Sequence, residues 1–164
     1  LNQGWKMITT QLNHERVALM AVGPLHRFLE EITQWAKDLK LSDGRRYIDE
    51  PWVQRNLAHV CAHTEVLKLM NWRQAQNIDL GALEPAEASA IKVFGSEYFI
   101  EGYRILMEVL RESGYLKKGS AGSILDGRIE RYYRALLILT FGGGTNEVQR
   151  DIIAMAGLRM PRSR

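Results

Sequence analysis

The stretch LNHERVALMAVGPLHRFLEEITQW, residues 12–35, sets the expected fold class of this chain. Its apolar residues recur at steps of three and four, the spacing that places side chains on one face of an α-helix. We expect one long helix over about residues 3–39, kinked at Gly23-Pro24, because proline disturbs the helical turn before it. Ser42-Asp43-Gly44 is typical of the loop that follows such a helix.

The same periodicity continues along the rest of the chain. It predicts a second helix over about residues 51–77, a third over 84–114, a fourth over 126–140 and a fifth over 145–157. The second begins with a proline at the favoured first position. Sustained two-residue alternation is absent, so the sequence predicts no sheet. We therefore predict an all-α fold, an antiparallel up-and-down bundle with an extra C-terminal helix that packs across it or onto a partner.

Composition fits a single globular domain. The chain has 164 residues, of which 46% are apolar and 25% are charged. The net charge is only +3, part of it from Arg159, Arg162 and Arg164 near the end. Lysine and arginine otherwise alternate with acids, so we expect no nucleic-acid partner.

Three further features concern the setting of the protein. Cys61 is the single cysteine, so no intrachain disulfide can form, which suits a reducing cytoplasm. No run of 18 apolar residues is present, so we expect no membrane span. The chain begins at Leu1 without an initiator methionine, and we expect it to be part of a longer protein.

The segment FGGGTNEVQRDIIA, residues 141–154, has the most distinctive chemistry. Three consecutive glycines permit unusual backbone shapes and close approach of another group. The helix that follows directs its first amides at the glycines, as in an anion site, but a simple tight turn between helices explains the pattern equally well. The segment is neither a Walker loop nor a dinucleotide fingerprint, since it lacks Gly-Lys-Ser/Thr and no strand precedes it.

Two matched segments give the chain a family resemblance. GGTNEVQRDIIA at residues 143–154 and GLRMPR at 157–162 resemble the C-terminal signature of the acyl-CoA dehydrogenase family. Gly4-Trp5 and LNHERV at residues 12–17 resemble the opening of the family's C-terminal domain, and Arg134 stands where the family often has an arginine. On this resemblance, residues 1–164 are the C-terminal helical domain, without the N-terminal helical and middle β-domains.

The resemblance implies a flavoenzyme that introduces an α,β double bond into an acyl-CoA thioester. FAD lies between the middle and C-terminal domains, and a glutamate removes the α-proton as hydride leaves the β-carbon. In many members that glutamate directly precedes the Gly-Thr of the signature, where this chain has Gly143. A subset places the base on the first helix, directly before an arginine, which here is Glu15 before Arg16. The alternative is that Glu15 is a solvated acid paired with a neighbour.

The resemblance also implies roles for the residues around the glycines. Arg16, Gly142 and Gly143 correspond to positions near the acyl-CoA. Gly144, Thr145 and Glu147 correspond to positions near FAD. Arg16 can instead pair on its helix surface, and Thr145 can cap its own helix, a role that its hydroxyl can combine with a flavin contact.

Two segments depart from the family pattern. Residues 42–48 lack the family's spacing of an arginine before Phe-Gly, although Arg45 or Arg46 can substitute for that arginine. Residues 108–114 retain only Gly114 of a glycine-rich motif that meets FAD of a neighbouring subunit. The resemblance implies an oligomer, of tetramer type, that is either homo- or hetero-meric. The lost motifs favour the hetero-oligomer, in which an unlike subunit completes the flavin site, as in actinobacterial steroid acyl-CoA dehydrogenases.

Two overall readings remain open. In the first, this domain supplies the base, binds acyl-CoA and FAD, and passes electrons to an electron-transfer acceptor, although the fragment alone is inactive. In the second, it belongs to a non-catalytic partner subunit that supports assembly. His59 and His63 have a spacing that can bind zinc, but a packed or solvated helix face explains them better, and we expect no metal site.

Overall fold

The computed structural model describes residues 3–162, and within that range it is helical. It contains six α-helices: α1 Gly4–Leu19, α2 Gly23–Asp38, α3 Pro51–Asp79, α4 Pro85–Val109, α5 Arg128–Leu136 and α6 Asn146–Ile152. The described residues contain no β-strand, only one isolated bridge between Lys40 and Arg46. The predicted all-α class is confirmed.

The single helix expected over residues 3–39 is wrong, because the structure has two separate helices, α1 and α2. Pro24 lies in the first turn of α2 and cannot donate a hydrogen bond to the carbonyl of Met20, four residues earlier. That carbonyl instead accepts a hydrogen bond of 2.8 Å from Nδ2 of Asn71. Asn71 thus supplies the hydrogen bond that the carbonyl of Met20 cannot receive from Pro24. The helix ends here and a new one begins, where a kink in one helix was expected.

The two long central helices begin at prolines, as predicted. α3 extends to Asp79, slightly past the expected end, whereas α4 stops at Val109, five residues short of the expected 114. Arg111 adopts a left-handed φ of +54°, which is incompatible with a continuing α-helix. A 3-10 helix, Arg111–Tyr115, follows.

The C-terminal part also differs in detail from the prediction. α5 is shorter than the expected 126–140, because Leu125, Asp126 and Gly127 all have left-handed φ values before it and a 3-10 turn, Leu137–Thr140, follows it. α6 begins one residue after Thr145 and continues into a π-helical turn, Ile153–Gly157. The predicted extra C-terminal helix is confirmed.

α4 is buried on nearly all sides. From residue 88 to residue 109, only Glu97 and Arg104 are exposed. A helix that is buried all round belongs to the centre of a protein. Polar residues on such a helix therefore need partners inside the structure.

The helices form two compact units. One unit comprises residues 22–66 and 98–137, and its core contains an aromatic cluster in which Phe28 contacts Tyr103 and Tyr132 edge to face, at centroid distances of 5.9 and 5.2 Å. The other unit comprises the described residues of 1–21, 67–97 and 138–164. Its interior is more polar, and it contains the glycine-rich turn together with Arg16, Lys92, Ser96, Asn146 and Gln149 as buried polar residues.

Every helix within residues 3–162 is too short or too polar to span a membrane.

Candidate functional site

The glycine-rich turn, Gly142–Gly144, has a backbone that only glycine adopts easily. Gly143 and Gly144 have φ values of +71° and +99°. Thr145 then caps α6, since its side-chain oxygen accepts a hydrogen bond from the amide of Val148 at 3.3 Å. The predicted capping role of Thr145 is confirmed, and two successive left-handed residues give the turn its shape.

Gln149 holds the glycine-rich turn against the first helical turn of α6. Its side chain is fully buried, and Nε2 donates to the carbonyl of Gly143 at 3.2 Å. A Cβ atom at Gly144 would lie only 2.6 Å from that nitrogen. Gly144 is therefore required for two reasons, its backbone conformation and the close approach of Gln149.

Arg16 contacts the turn from α1. Its Nε donates to the carbonyl of Gly143 at 3.3 Å, and its NH1 group donates to Oδ1 of Asn13 at 2.8 Å. The side chain is 7% exposed. Burial lowers the pKa of Arg16, while the adjacent Glu15 raises it, and an arginine in this setting keeps its charge. The structure thus brings together Arg16 and Gly143, which the resemblance places near acyl-CoA.

A second cation, Lys92, reaches the turn from α4. Its ammonium donates to the carbonyls of Thr140 and Gly144, at 3.1 and 2.7 Å, and to Oδ1 of Asn146 at 2.6 Å. The side chain has no exposed surface. Burial lowers the pKa of Lys92, and the nearby charge of Arg16 lowers it further.

Asn146 links this lysine to the rest of α4. Its Nδ2 donates to Oγ of Ser96 at 3.0 Å and to Oε1 of Glu97 at 3.1 Å. The carboxylate of Glu97 also accepts two hydrogen bonds from Arg150, at 2.7 and 2.9 Å. The first turn of α6 is therefore joined to α4 by a continuous polar network.

An open cleft of about 770 Å³ lies beside the turn. Most of its lining is apolar or uncharged, and among residues 3–162 the one charged residue that lines it is Arg16. The lining residues are Trp5, Thr9, Thr10, Leu12, Asn13, Arg16, Pro85, Gly143, Gly144, Val148 and Ile152. An apolar cleft with a few convergent polar groups is the usual form of a small-molecule site.

The other predicted site residues lie around this cleft without lining it. Glu15 is exposed, and its side chain does not form part of the cleft wall. Gly142 is half-buried. Thr145 and Glu147 are exposed at the start of α6, where the amide of Glu147 and the hydroxyl of Thr145 lower the pKa of the Glu147 carboxyl.

These residues are chemically suited to the flavin that the resemblance implies. Gly143 and Gly144 line the cleft, and a side chain at Gly143 would lie against Arg16. The exposed hydroxyl of Thr145 can donate or accept, and the carboxylate of Glu147 can accept from the hydroxyls of a ribose. FAD would be held here by Gly144, Thr145 and Glu147, and it would supply the acceptor for the electrons of the reaction.

The two segments that depart from the family pattern are engaged within the chain. Arg45 pairs with Asp43 and Glu50, at 2.7 and 2.9 Å, and Arg46 pairs with Asp49 at 2.8 Å. Gly114 is buried, and a Cβ atom there would lie 2.4 Å from the carbonyl oxygen of Met107. Packing thus accounts for Gly114 without any flavin contact.

His59 and His63 stack on each other, with ring centroids 4.2 Å apart. Nδ1 of His63 lies 3.0 Å from the carbonyl of His59. Among residues 3–162, no group of three metal-binding side chains is close enough to hold an ion. His63 also stacks on Tyr98 of α4, with ring centroids 5.5 Å apart.

Sequence reasoning missed Lys92, Asn146 and Gln149. The signal for Lys92 was present, since it lies four residues from both Ala88 and Ser96, and all three are fully buried on α4. A lysine flanked by small residues on a helix face, within an apolar segment, indicates a buried cation. Asn146 and Gln149 gave no such signal, because polar residues in the first turn of a helix are usually solvated.

Comparisons with known proteins show the family to which this chain belongs. The family model for the acyl-CoA dehydrogenase C-terminal domain matches residues 2–158. Acyl-CoA dehydrogenase FadE26 of Mycobacterium tuberculosis is 55% identical over 166 residues, which cover 99% of this chain and 41% of that protein. Acyl-CoA dehydrogenase FadE29 of the same species is 34% identical, over 98% of this chain and 41% of that protein.

Solved structures show the same fold. A chain of the ChsE4-ChsE5 complex from Mycobacterium tuberculosis superposes with a TM-score of 0.91 at 55% identity, over 99% of this chain and 42% of that one. A chain of the Tcur3481-Tcur3483 steroid ACAD superposes with a TM-score of 0.90 at 41% identity, over 99% of this chain and 41% of that one. The chain spans about two fifths of the length of these relatives. It belongs to the acyl-CoA dehydrogenase family, and the part of that family to which it corresponds is the C-terminal domain.

Proposed function

We propose that the full-length protein is an FAD-dependent acyl-CoA dehydrogenase in which Glu15 removes the α-proton of the thioester. The observation that supports this proposal is the contact between Arg16 and Gly143. Gly143 occupies the position where many members of the family have their glutamate, and it has no side chain that can accept a proton. Glu15 precedes Arg16 directly, so its Cα lies about 3.8 Å from that of the residue that touches this position.

The residues around the cleft have complementary roles in this proposal. Gly143 leaves space beside Arg16 that a glutamate would otherwise fill. The buried guanidinium of Arg16 adds positive charge where negative charge develops on the thioester oxygen as the α-proton leaves, which stabilises the transition state. FAD would supply the acceptor for the hydride that leaves the β-carbon.

The exposure of Glu15 sets a requirement for this mechanism. A carboxylate becomes an effective base when desolvation raises its pKa towards the working pH. In this chain Glu15 is exposed, so the proposal requires other parts of the full-length protein, or the bound thioester, to cover it. The relatives extend well beyond the matched region, since this chain covers 41% of FadE26.

The test is anaerobic titration of the full-length protein with acyl-CoA substrates while the flavin absorbance is recorded. Both straight-chain and steroid acyl-CoA thioesters are tried, since one relative is described as a steroid ACAD. We expect the flavin to bleach in the wild type, and to remain bound but oxidised in Glu15→Gln. Glu30→Gln, an exposed carboxylate on α2, is the matched control. Normal bleaching in Glu15→Gln would overturn the assignment of the base.

We further propose that an unlike subunit completes the flavin site. Both segments that face a neighbour's flavin in the family depart from its pattern here, and Arg45 and Arg46 are paired with acids of their own segment. Two relatives of known structure were solved as two-component assemblies. Flavin that appears only after co-expression with an unlike subunit is the expected result, whereas full occupancy in a purified homo-oligomer would contradict it.

The remaining parts of the proposal concern the setting of the reaction. The full-length protein acts in the cytoplasm and passes electrons from the flavin to an electron-transfer acceptor. The C-terminal domain alone neither retains flavin nor turns over, because the family places FAD between this domain and the middle domain. Isolated residues 1–164 that bind FAD stoichiometrically would contradict this last point.

A second candidate is a non-catalytic partner subunit that lends contacts to a catalytic neighbour. The observation in its favour is that Glu15 is exposed and does not line the cleft formed by Arg16, Gly143 and Gly144. In that case Glu15→Gln leaves the activity of the co-purified complex unchanged, while a variant that disrupts the subunit contact abolishes it. The titration above distinguishes the two candidates.

A further inference from the structure

The ammonium of Lys92 has a complete set of hydrogen-bond acceptors. A lysine has three N–H donors and no acceptor, and Lys92 contacts three oxygens at 2.6 to 3.1 Å. One belongs to Asn146, and the other two are the carbonyls of Thr140 and Gly144. All three N–H groups are used, so the position and orientation of the side chain are fixed.

The three acceptors bracket the glycine-rich turn. Thr140 lies before it, Gly144 lies in it, and Asn146 lies at the start of α6 after it. A single ammonium therefore fixes the entry, the last residue and the exit of the turn. The residues that the family resemblance assigns to FAD, Gly144, Thr145 and Glu147, lie on or immediately beside this fixed backbone.

The charge of Lys92 is not neutralised by direct contact. None of the ion pairs formed by residues 3–162 includes it, and its three partners are uncharged oxygens. Glu147 and Glu97 act on it only at longer range, and the positive charge of Arg16 repels it. Burying a lysine without a paired carboxylate is costly. A neutral side chain that donated the same hydrogen bonds would hold the turn at a lower desolvation cost, so stability alone does not explain a lysine here.

We propose that Lys92 is a positioning residue of the flavin-binding surface, which holds the Gly144 to Glu147 backbone in the conformation that binds the cofactor. This inference rests on the proposed function, because it assigns the turn to FAD. The proposal gives a role to a buried lysine that does not itself line the cleft.

The test uses the full-length protein with any partner subunit that it requires, and compares Lys92→Met with the wild type. Arg104→Met is the matched control, since it removes a cation of the same helix that pairs with Glu101 and Glu108 on the helix surface. Two quantities are measured: amide hydrogen exchange of residues 143–149, and the dissociation constant of FAD.

We expect exchange at residues 143–149 to accelerate by about tenfold or more in Lys92→Met, because the variant removes three hydrogen bonds from a charged donor to this backbone and its cap. The FAD dissociation constant rises by at least about tenfold for the same reason. Amides in α3 keep their protection, and Arg104→Met shows neither effect. Unchanged exchange at residues 143–149, or equal acceleration throughout the helices, would overturn the positioning role.

A second variant covers the case in which Lys92→Met does not fold. Asn146→Ala removes one of the three acceptors and leaves the ammonium with two, so a smaller local acceleration and a smaller loss of FAD affinity are expected. If neither quantity changes in this variant, the inference fails. Hydrogen exchange is measured on flavin-free protein, so a wild type that does not bind FAD would refute the proposed function, while the exchange pattern would still show whether Lys92 fixes the turn.

Discussion

The hydroxyl of Tyr47 donates to the carbonyl oxygen of Val109 at 2.8 Å, and both residues are fully buried. This bond joins the two segments that depart from the family's flavin pattern, residues 42–48 and 108–114. The guanidinium of Arg111 also lies over the ring of Tyr47, 4.9 Å from its centroid. Both segments are thus held to each other by contacts within one unit of the chain.

We expect Tyr47→Phe to lower the free energy of unfolding by about 1–3 kcal/mol, because it leaves the buried carbonyl of Val109 without a donor. Urea denaturation of the domain measures the change. Tyr115→Phe is the matched control, because Tyr115 is 61% exposed, and it should have little effect. Equal stability of Tyr47→Phe and the wild type would show that the bond is not maintained in solution.

The double variant Arg45→Met/Arg46→Met should retain the flavin content of the wild-type complex. Both arginines are exposed and pair with Asp43, Glu50 and Asp49 of their own segment, so neither is expected to replace the flavin-binding arginine of the family. The flavin to protein absorbance ratio of the purified complex measures this. Loss of flavin from the double variant would show that Arg45 or Arg46 contributes to flavin binding.

Gly144→Ala should destabilise the domain more than Gly143→Ala. Both positions have left-handed φ values, which cost about 1–3 kcal/mol for a non-glycine residue. At Gly144 the new Cβ also meets Nε2 of Gln149 at 2.6 Å, whereas at Gly143 the nearest atom is 3.8 Å away. Urea midpoints of the two variants give the comparison, and equal losses would exclude a role for the Gln149 contact.

The helical periodicity of the chain predicted the fold class well, because the buried apolar side chains recur along one face of each helix and this spacing is visible in the sequence. The prolines at 51 and 85 placed the starts of two helices, and Thr145 was identified as a cap from its residue type alone. The break between α1 and α2 was not predictable in the same way. It depends on Asn71, which supplies a donor to Met20 from 51 residues away in the chain.

The candidate site was predicted only in part, for a related reason. The glycine-rich turn and Arg16 belong to motifs that can be read directly, but Lys92 acquires its role from three acceptors that lie about fifty residues further along. For Glu15, the residue type and position could be predicted as those of a base. Whether the side chain is buried depends on parts of the protein outside this domain. Burial in a larger assembly cannot be read from the residues of one domain.

Tyr98 should make the domain sensitive to alkaline pH. Burial raises the pKa of Tyr98 to about 12, from an ordinary value of 10.0, and its hydroxyl contacts Thr64 and the carbonyl of Val60. The unfolded chain therefore loses this proton first as the pH rises. The stability linked to this group is complete below pH 10 and is lost progressively between pH 10 and about 12.

The measurement is urea denaturation of the wild type and Tyr98→Phe at several pH values. We expect the variant to be less stable at neutral pH, and to lose less stability than the wild type above pH 10. Other tyrosines ionise in both proteins, so the difference between the two curves isolates Tyr98. Parallel curves across this range would show that the hydroxyl is not protected from ionisation.

The contacts of Arg16 and Lys92 with the glycine-rich turn have a consequence for folding kinetics. Arg16 lies 127 residues from Gly143, and Lys92 lies 52 residues from Gly144. Contacts that close such large loops form late, since the chain must be ordered before they can stabilise it. We expect substitutions at Lys92 to accelerate unfolding while leaving the folding rate nearly unchanged. We therefore expect the surface proposed to hold the cofactor to assemble late in folding and to be lost early in unfolding.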